Sequence, residues 1–315
     1  MKVQTARILI LFVAGIIIFF SRSVCFSQTP SFASDANFSV ESHLFSFAMK
    51  DLNADGHSDC VTVNAMGYNI SVSLGNLNGT FGEAVGFGEE GATSLAMGDL
   101  NHDGKTDIAT VNNMTTTMNV SVFLGNGDGT FGSVSNFYTG FILDSVTIGD
   151  VDGDGKLDLV TANDDVHSIS VLLGNGDGTF GTAVGFGPGS GSGFYAVAMG
   201  DTNSDGTIDL ITASVGSGEL FMFLGNGNGT FRNPQVFNVG VNPISVAMGE
   251  MNADGKIDLV TANADTENVS VLLGNGNGTF GNVTNFRAGK ISSEILIRSL
   301  NPDGKPDLPF ILNNL

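Results

Sequence analysis

One nine-residue pattern recurs along this chain at a period of about fifty residues, and it limits the possible folds more than any other feature. The pattern is Asp-x-Asn/Asp-x-Asp-Gly-x-x-Asp. Intact copies start at Asp51, Asp99, Asp150 and Asp201. A fifth opens with Glu250, and a sixth opens with Ser299 and so lacks the first carboxylate. Self-similarity at this period belongs to arrays, in which each unit buries its apolar surface only against its neighbours.

The loop itself has the chemistry of a hard-cation site. Calcium takes about six to eight oxygen ligands, and a tightly curled loop can bring side chains at positions 1, 3 and 5 onto one ion. Position 6 is Gly in all six copies, which lets the chain turn around that point. Position 9 is always Asp. Position 7 varies and its side chains share no common oxygen, so a ligand there is expected to be the backbone carbonyl. The candidate ligands are Asp51, Asn53, Asp55, His57 and Asp59 in the first loop, and Asp99, Asn101, Asp103, Lys105 and Asp107 in the second. The third offers Asp150, Asp152, Asp154, Lys156 and Asp158, and the fourth Asp201, Asn203, Asp205, Thr207 and Asp209. The fifth offers Glu250, Asn252, Asp254, Lys256 and Asp258. An EF-hand needs a bidentate Glu at position 12 and flanking helices. Position 12 here is Thr in the first five copies, and the flanks read as strands. A plain polar turn would use Asp, Asn and Gly as well, but it has no need of a carboxylate at position 9.

A second motif alternates with the first, Leu74-Gly75-Asn76-Leu77-Asn78-Gly79-Thr80-Phe81, with copies starting at Leu124, Leu173, Leu224 and Leu273. It reads as a strand end, a tight hairpin and a Phe that fills the space between units. Three copies spell the glycosylation sequon Asn-Gly-Thr, at Asn78, Asn228 and Asn277, but Asp128 and Asp177 hold the same place in the other two. That exchange keeps a turn and destroys a sequon, so the position serves the turn.

Each unit then reads as four short strands. In the second they are expected at 94–98, 108–111, 120–124 and 130–137. Nothing after the N-terminal segment has helical periodicity, and the 44 Gly and β-branched runs oppose it. Four strands per unit argue for the blades of an all-β propeller.

The loop together with the Leu-Gly-Asn-Gly-x-Gly-Thr-Phe turn resembles the FG-GAP/VCBS repeats that build the head of integrin α-subunits and many secreted bacterial proteins. The resemblance covers about residues 44–310. It implies a β-propeller with calcium in the loop between the first two strands of a blade, which assigns Ca2+ to about five sites here. The integrin modules that clasp ligand have no counterpart, so integrin-type adhesion does not follow. The loop count and the spacing of Phe32 before Asp51 imply six blades. The last is incomplete and shared between the chain ends, with 29–40 giving a fourth strand and 294–315 the first two.

Residues 1–27 read as a signal peptide, with 28–315 as the propeller. Lys2 and Arg7 precede an apolar run from Ile8 to Phe20, short for a membrane span. The alternative is an uncleaved signal anchor, the one case in which a membrane is a partner. Cys60 would be the single cysteine left, so packing and metal must hold the fold in place of a disulfide.

The net charge is −20, and 18 of the 32 acidic residues lie in the six loops, so the acidity is mostly ligand. It opposes binding to nucleic acid or anionic membrane. No zinc motif, nucleophile elbow or other catalytic grouping is legible, although some related propellers are polysaccharide lyases. The expected role is that of a secreted, monomeric calcium-binding scaffold for a protein or glycan, with a calcium-dependent lectin as the rival reading. Against the lectin stand the absence of Trp and the scatter of Tyr68, Tyr138 and Tyr195. Partner choice is expected where the repeats differ, at 185–194, 114–118 and 164–168.

Overall fold

The structure, a computed structural model, describes residues 9–13, 16–20, 44–64, 70–88, 91–113, 119–139, 142–164, 168–189, 191, 193–288 and 311–313. The chain is an all-β propeller, with no helix among the described residues. Blade one holds β3 (Leu44–Lys50), β4 (Asp59–Asn64), β5 (Ile70–Ser73) and β6 (Val85–Phe87). Blade two holds β7 (Ala92–Gly98), β8 (Asp107–Asn112), β9 (Asn119–Phe123) and β10 (Ser135–Tyr138). Blade three is β11 (Leu143–Gly149), β12 (Asp158–Asn163), β13 (Ser168–Leu172) and β14 (Val184–Phe186). Blade four is β15 (Phe194–Gly200), β16 (Asp209–Ser214), β17 (Glu219–Phe223) and β18 (Gln235–Asn238). Blade five is β19 (Pro243–Gly249), β20 (Asp258–Asn263), β21 (Asn268–Leu272) and β22 (Thr284–Arg287).

Every blade is an antiparallel meander in sequence order. Its first strand lies beside the first strand of the next blade, from β3 through β7, β11 and β15 to β19. The two middle strands are buried on both faces and the fourth strand is largely exposed. First strands therefore line the inside of the array and fourth strands its perimeter.

The period-2 alternation of the second strand explains how blades stack. In β12, Leu159 packs into a core shared with blade two, through Ala109, Val111, Val120 and Val122. Its neighbours Val160 and Ala162 face the other way, into a core with Phe194, Leu210 and Phe223 of blade four. Blade five repeats that outward apolar face with Val260, Ala262, Val269 and Val271, the surface on which a further blade would sit. The opposite face of a blade carries a buried polar row. In blade two Asn112 Nδ2 donates to Asn119 Oδ1 and Ser121 Oγ, and Ser121 Oγ donates to Asn136 Oδ1. Blade four breaks this row, because Phe221 replaces the Ser and packs on Phe194 with ring centroids 5.1 Å apart.

Two strand expectations need correction or completion. The fourth strand of unit two is shorter than 130–137. Phe131 makes only an isolated bridge to Gly125 and the ladder resumes at Ser135, because Gly132 N–H bonds back to Leu124 O and extends the turn. The apolar run at the N-terminus contributes β1 (Leu9–Val13) and β2 (Ile16–Phe20), and β2 pairs with β23 (Ile311–Asn313) near the C-terminus. The expected strand at 29–40, Phe32 and the sixth loop at 299–307 lie outside the described residues, as do 114–118 and 165–167.

Candidate metal centre

Both repeated motifs lie at one edge of the array. The acidic loop joins strands one and two of each blade, and the glycine-rich turn joins strands three and four. The Asp at position 9 ties them together. Asp158 is buried, its Oδ2 accepts Val151 N–H at 2.8 Å within the loop, and its Oδ1 accepts Gly174 N–H at 2.7 Å from the turn. Asp59, Asp107, Asp209 and Asp258 make the same two bonds in their own blades. The turn residue must be Gly because of how closely it approaches. A Cβ on Gly174 would stand 2.1 Å from Leu157 O.

The carboxylate at position 1 closes the loop from inside. Asp51 Oδ2 accepts Gly56 N–H at 2.8 Å, and Asp99, Asp150 and Asp201 do the same at 2.9 Å. Glu250, the exception in the sequence, fills this role too, accepting the N–H groups of Asn252, Ala253 and Gly255. Asn53, Asn101, Asp152, Asn203 and Asn252 at position 3 each accept the N–H of position 5.

The third loop brings three of its expected ligands together. Carboxylate oxygens of Asp150, Asp152 and Asp158 all lie within 4.8 Å of one another. The other four described loops carry Asn at position 3, so their convergent oxygens include an amide. Hard oxygen donors on a curled loop suit calcium. Asp154 stands outside that group of three, with its Oδ2 2.6 Å from Lys156 Nζ. Position 7 thus gives its side chain a role that the sequence did not assign. Lys105 and Lys256 reach Asp103 and Asp254 in the same way at 3.3 and 3.5 Å, and Thr207 Oγ1 donates to Asp205 at 2.5 Å. A cationic or hydroxyl group two residues after a carboxylate on a tight loop has a short path back to it.

Ionisation follows burial. Burial pushes Asp158 up to about 6, aided by the charges of Asp152 and Asp150 and opposed by its two N–H bonds. Burial also raises Asp107, Asp209 and Asp258. Four loop acids are held below the ordinary range: Asp51 by Gly56 N–H, Asp103 by Lys105 N–H, Asp154 by the Lys156 ammonium and Asp205 by the Thr207 hydroxyl.

The sequence concealed three features of this edge. Position 4 has a left-handed backbone at Ala54, His102, Ser204 and Ala253, with φ between 59° and 64°, and only the third loop meets it with Gly153. Loops also touch across blades, since His102 Nε2 lies 3.0 Å from Gly155 O of the next loop. Three turns reach back to the loop of the preceding blade: Gly178 N–H bonds Leu100 O, Gly229 N–H bonds Val151 O, and Gly278 N–H bonds Thr202 O. The turn Phe, expected between units, lies edge-on to the fourth-strand Phe of the preceding blade. The pairs are Phe131 with Phe87, Phe180 with Phe137, Phe231 with Phe186 and Phe280 with Phe237, at 5.1–5.5 Å. A second Phe six residues after each turn Phe was the available signal. Asn78 and Asp128 both bond the N–H and hydroxyl of the following Thr, as a turn position should.

Among solved structures, a lectin from Agrocybe aegerita that recognises non-reducing terminal N-acetylglucosamine is similar at 20% identity and TM-score 0.56, over 90% of this chain and 80% of that one. A functionally unknown protein from Desulfotomaculum acetoxidans is similar at 13% identity and TM-score 0.58, over 89% of this chain and 79% of its own. At these identities the likeness is one of fold. No curated protein matches the chain. No helix among the described residues is long and apolar enough to cross a membrane. The FG-GAP-like repeat matches residues 51–110, 103–161, 150–212, 201–261 and 250–308, each match running from one acidic loop through the start of the next unit, and the chain belongs to that family.

Proposed function

We propose that this protein is a secreted, calcium-stabilised propeller that serves as a binding or adhesion scaffold, with no chemistry of its own. The convergence of Asp150, Asp152 and Asp158 carries the reading. Carboxylates this close repel one another, and a divalent cation bound to the folded chain relieves that repulsion. Asp51, Asp99, Asp201 and Glu250 with their loop partners would hold further ions. An ion that binds only the folded state at about a hundred times its Kd adds about 2.7 kcal/mol per site. Melting curves in millimolar calcium should therefore lie well above those in EDTA, and calorimetric titration should count several sites. Superimposed melting curves would refute the calcium reading.

Glycan is the partner class we favour. The fold-similar Agrocybe aegerita lectin recognises a sugar, and an array of like blades offers several equivalent places for one. A glycan array run with and without chelator tests this, and a blank array in calcium would turn attention to a protein partner.

A further inference from the structure

A cleft of about 250 Å³ opens on the perimeter between blades three and four. Its volume is below the roughly 300 Å³ at which sites for drug-sized ligands begin, so it suits one small ring. Phe186, Phe223 and Phe231 line it, with Phe186 and Phe231 edge-on to each other at 5.5 Å. Pro188 and Pro234 add rigid apolar faces, and Arg232 and Asn233 supply the polar side chains.

Arg232 and Pro234 break the repeat, whereas Asn233 has a counterpart in Asn282 of blade five. In the other four blades the residue after the turn Phe is Gly, at Gly82, Gly132, Gly181 and Gly281. None of those blades has Pro two residues further on, where they carry Ala84, Val134, Ala183 and Val283. The turn does not require the Arg side chain, because Arg232 uses its backbone N–H on Leu224 O, as Gly82 does on Leu74 O. Its side chain makes a long bond, Nε to Asn226 Oδ1 at 3.4 Å. The guanidinium, whose charge also helps hold Asp205 ionised, is an addition to the blade, exposed at the mouth of an apolar cleft on a protein of net charge −20.

We propose that this cleft binds a uronic-acid residue of an acidic polysaccharide, an inference that rests on the glycan reading above. A pyranose ring has an apolar C–H face for the Phe and Pro surfaces. A uronate adds a carboxylate at its edge, which the planar guanidinium of Arg232 can take in a bidentate pair. Asn233 offers an amide to a ring hydroxyl. The charge complementarity selects a uronate over a neutral hexose.

The test is calorimetric titration of the calcium-loaded protein with methyl β-D-glucuronide, methyl β-D-glucoside and acetate. The glucuronide should bind, with the glucoside and acetate each at least about tenfold weaker. Arg232→Gln should lose about tenfold in glucuronide affinity without a change in melting temperature, since the side chain is exposed and the turn keeps its N–H bond. Pro188→Gly should weaken both sugars and leave acetate unaffected. Equal binding of glucuronide and glucoside, acetate as strong as glucuronide, full affinity in Arg232→Gln, or no glucuronide binding would each overturn the inference. A glycan array that responds only to neutral sugars would sink this site and keep the glycan reading. A blank array would sink both.

Discussion

At the edge that carries the acidic loops, the five described blades share the same hydrogen bonds, whereas at the opposite edge the matching residues differ in every blade. Position 9 makes its two N–H bonds five times over, and the turn closes with the same side-chain pair each time. At the far edge every first strand shifts register after its first residue, and the bulged residues are Phe45, Thr93, Asp144, Tyr195 and Ile244. The backbone device is common to all five and the side chain is not. A bulge re-aims a side chain without breaking the sheet. Repetition therefore marks what each blade needs in order to fold and to close its loop, and divergence marks positions free of that requirement.

The sharpest way to break this division is to compare truncations at the two edges. Phe180 is 9% exposed and lies edge-on to Phe137 of the preceding blade. Phe180→Ala should cost about 3–5 kcal/mol. Tyr195→Ala at the far edge, where the ring is 42% exposed, should cost less than about 1 kcal/mol. Urea midpoints of the two variants measure the difference, and equal losses would abolish the distinction.

A second comparison stays with carboxylates. Asp158→Ala strands the N–H groups of Val151 and Gly174 inside the protein, and should cost about 2 kcal/mol even in EDTA. Asp144 accepts a side-chain amide, Asn113 Nδ2 at 2.8 Å, where Asp158 accepts two backbone N–H groups. Asp144→Ala should therefore cost about half as much or less. Denaturant titration in chelator isolates this from any loss of metal.

Much of the loop edge was legible in the sequence because its demands are local. A close backbone approach requires Gly, a curled loop requires carboxylates at fixed spacing, and both recur with the period. The contacts between blades were not legible. Nothing in the spacing says that His102 meets the next loop or that Gly178 caps the one before it, because those partners are set by how sheets stack and not by neighbours along the chain. The left-handed position 4 was hidden for a different reason. Ala54, His102, Ser204 and Ala253 are ordinary residues whose strain is imposed by the loop N–H groups that turn inward to the carboxylates on either side. The side chains of Lys105, Lys156 and Lys256 had no partner assigned by the sequence, because only the loop geometry shows which carboxylate each one reaches.

Acid should separate the free and metal-bound states. Asp158 has a folded pKa of about 6 against an ordinary 3.8, because of burial. The folded chain then binds more protons than the unfolded chain between these values, so stability falls as pH rises through 6. In EDTA, lowering the pH from 7 to 5 should stabilise the protein by about 1 kcal/mol for this group, with Asp107, Asp209 and Asp258 acting in the same direction. In saturating calcium the trend should reverse, since protons compete for ligand oxygens. Thermal melts across that range decide it, and a fall in stability with acid under both conditions would mean that the buried carboxylates do not govern this edge.

The smallest effect asks how uniform the loop edge is. Ala54 and Ser204 sit at φ near 60°, a conformation that costs a side-chain-bearing residue about 1 kcal/mol, and Gly153 occupies the matching place in loop three without that cost. Replacing Ala54 or Ser204 by Gly removes the strain and adds entropy to the unfolded chain. The two nearly offset, and the net should be a gain of about 0.5 kcal/mol. Gly153→Ala runs the other way. The nearest atom to a new Cβ there is Gly227 O at 3.9 Å, so space is not at issue and any loss is backbone strain alone. Urea midpoints in EDTA should shift in opposite directions for Ala54→Gly and Gly153→Ala. If both shift downward, the third loop does not share the backbone of the first, and its extra carboxylate Asp152 belongs to a site of its own kind.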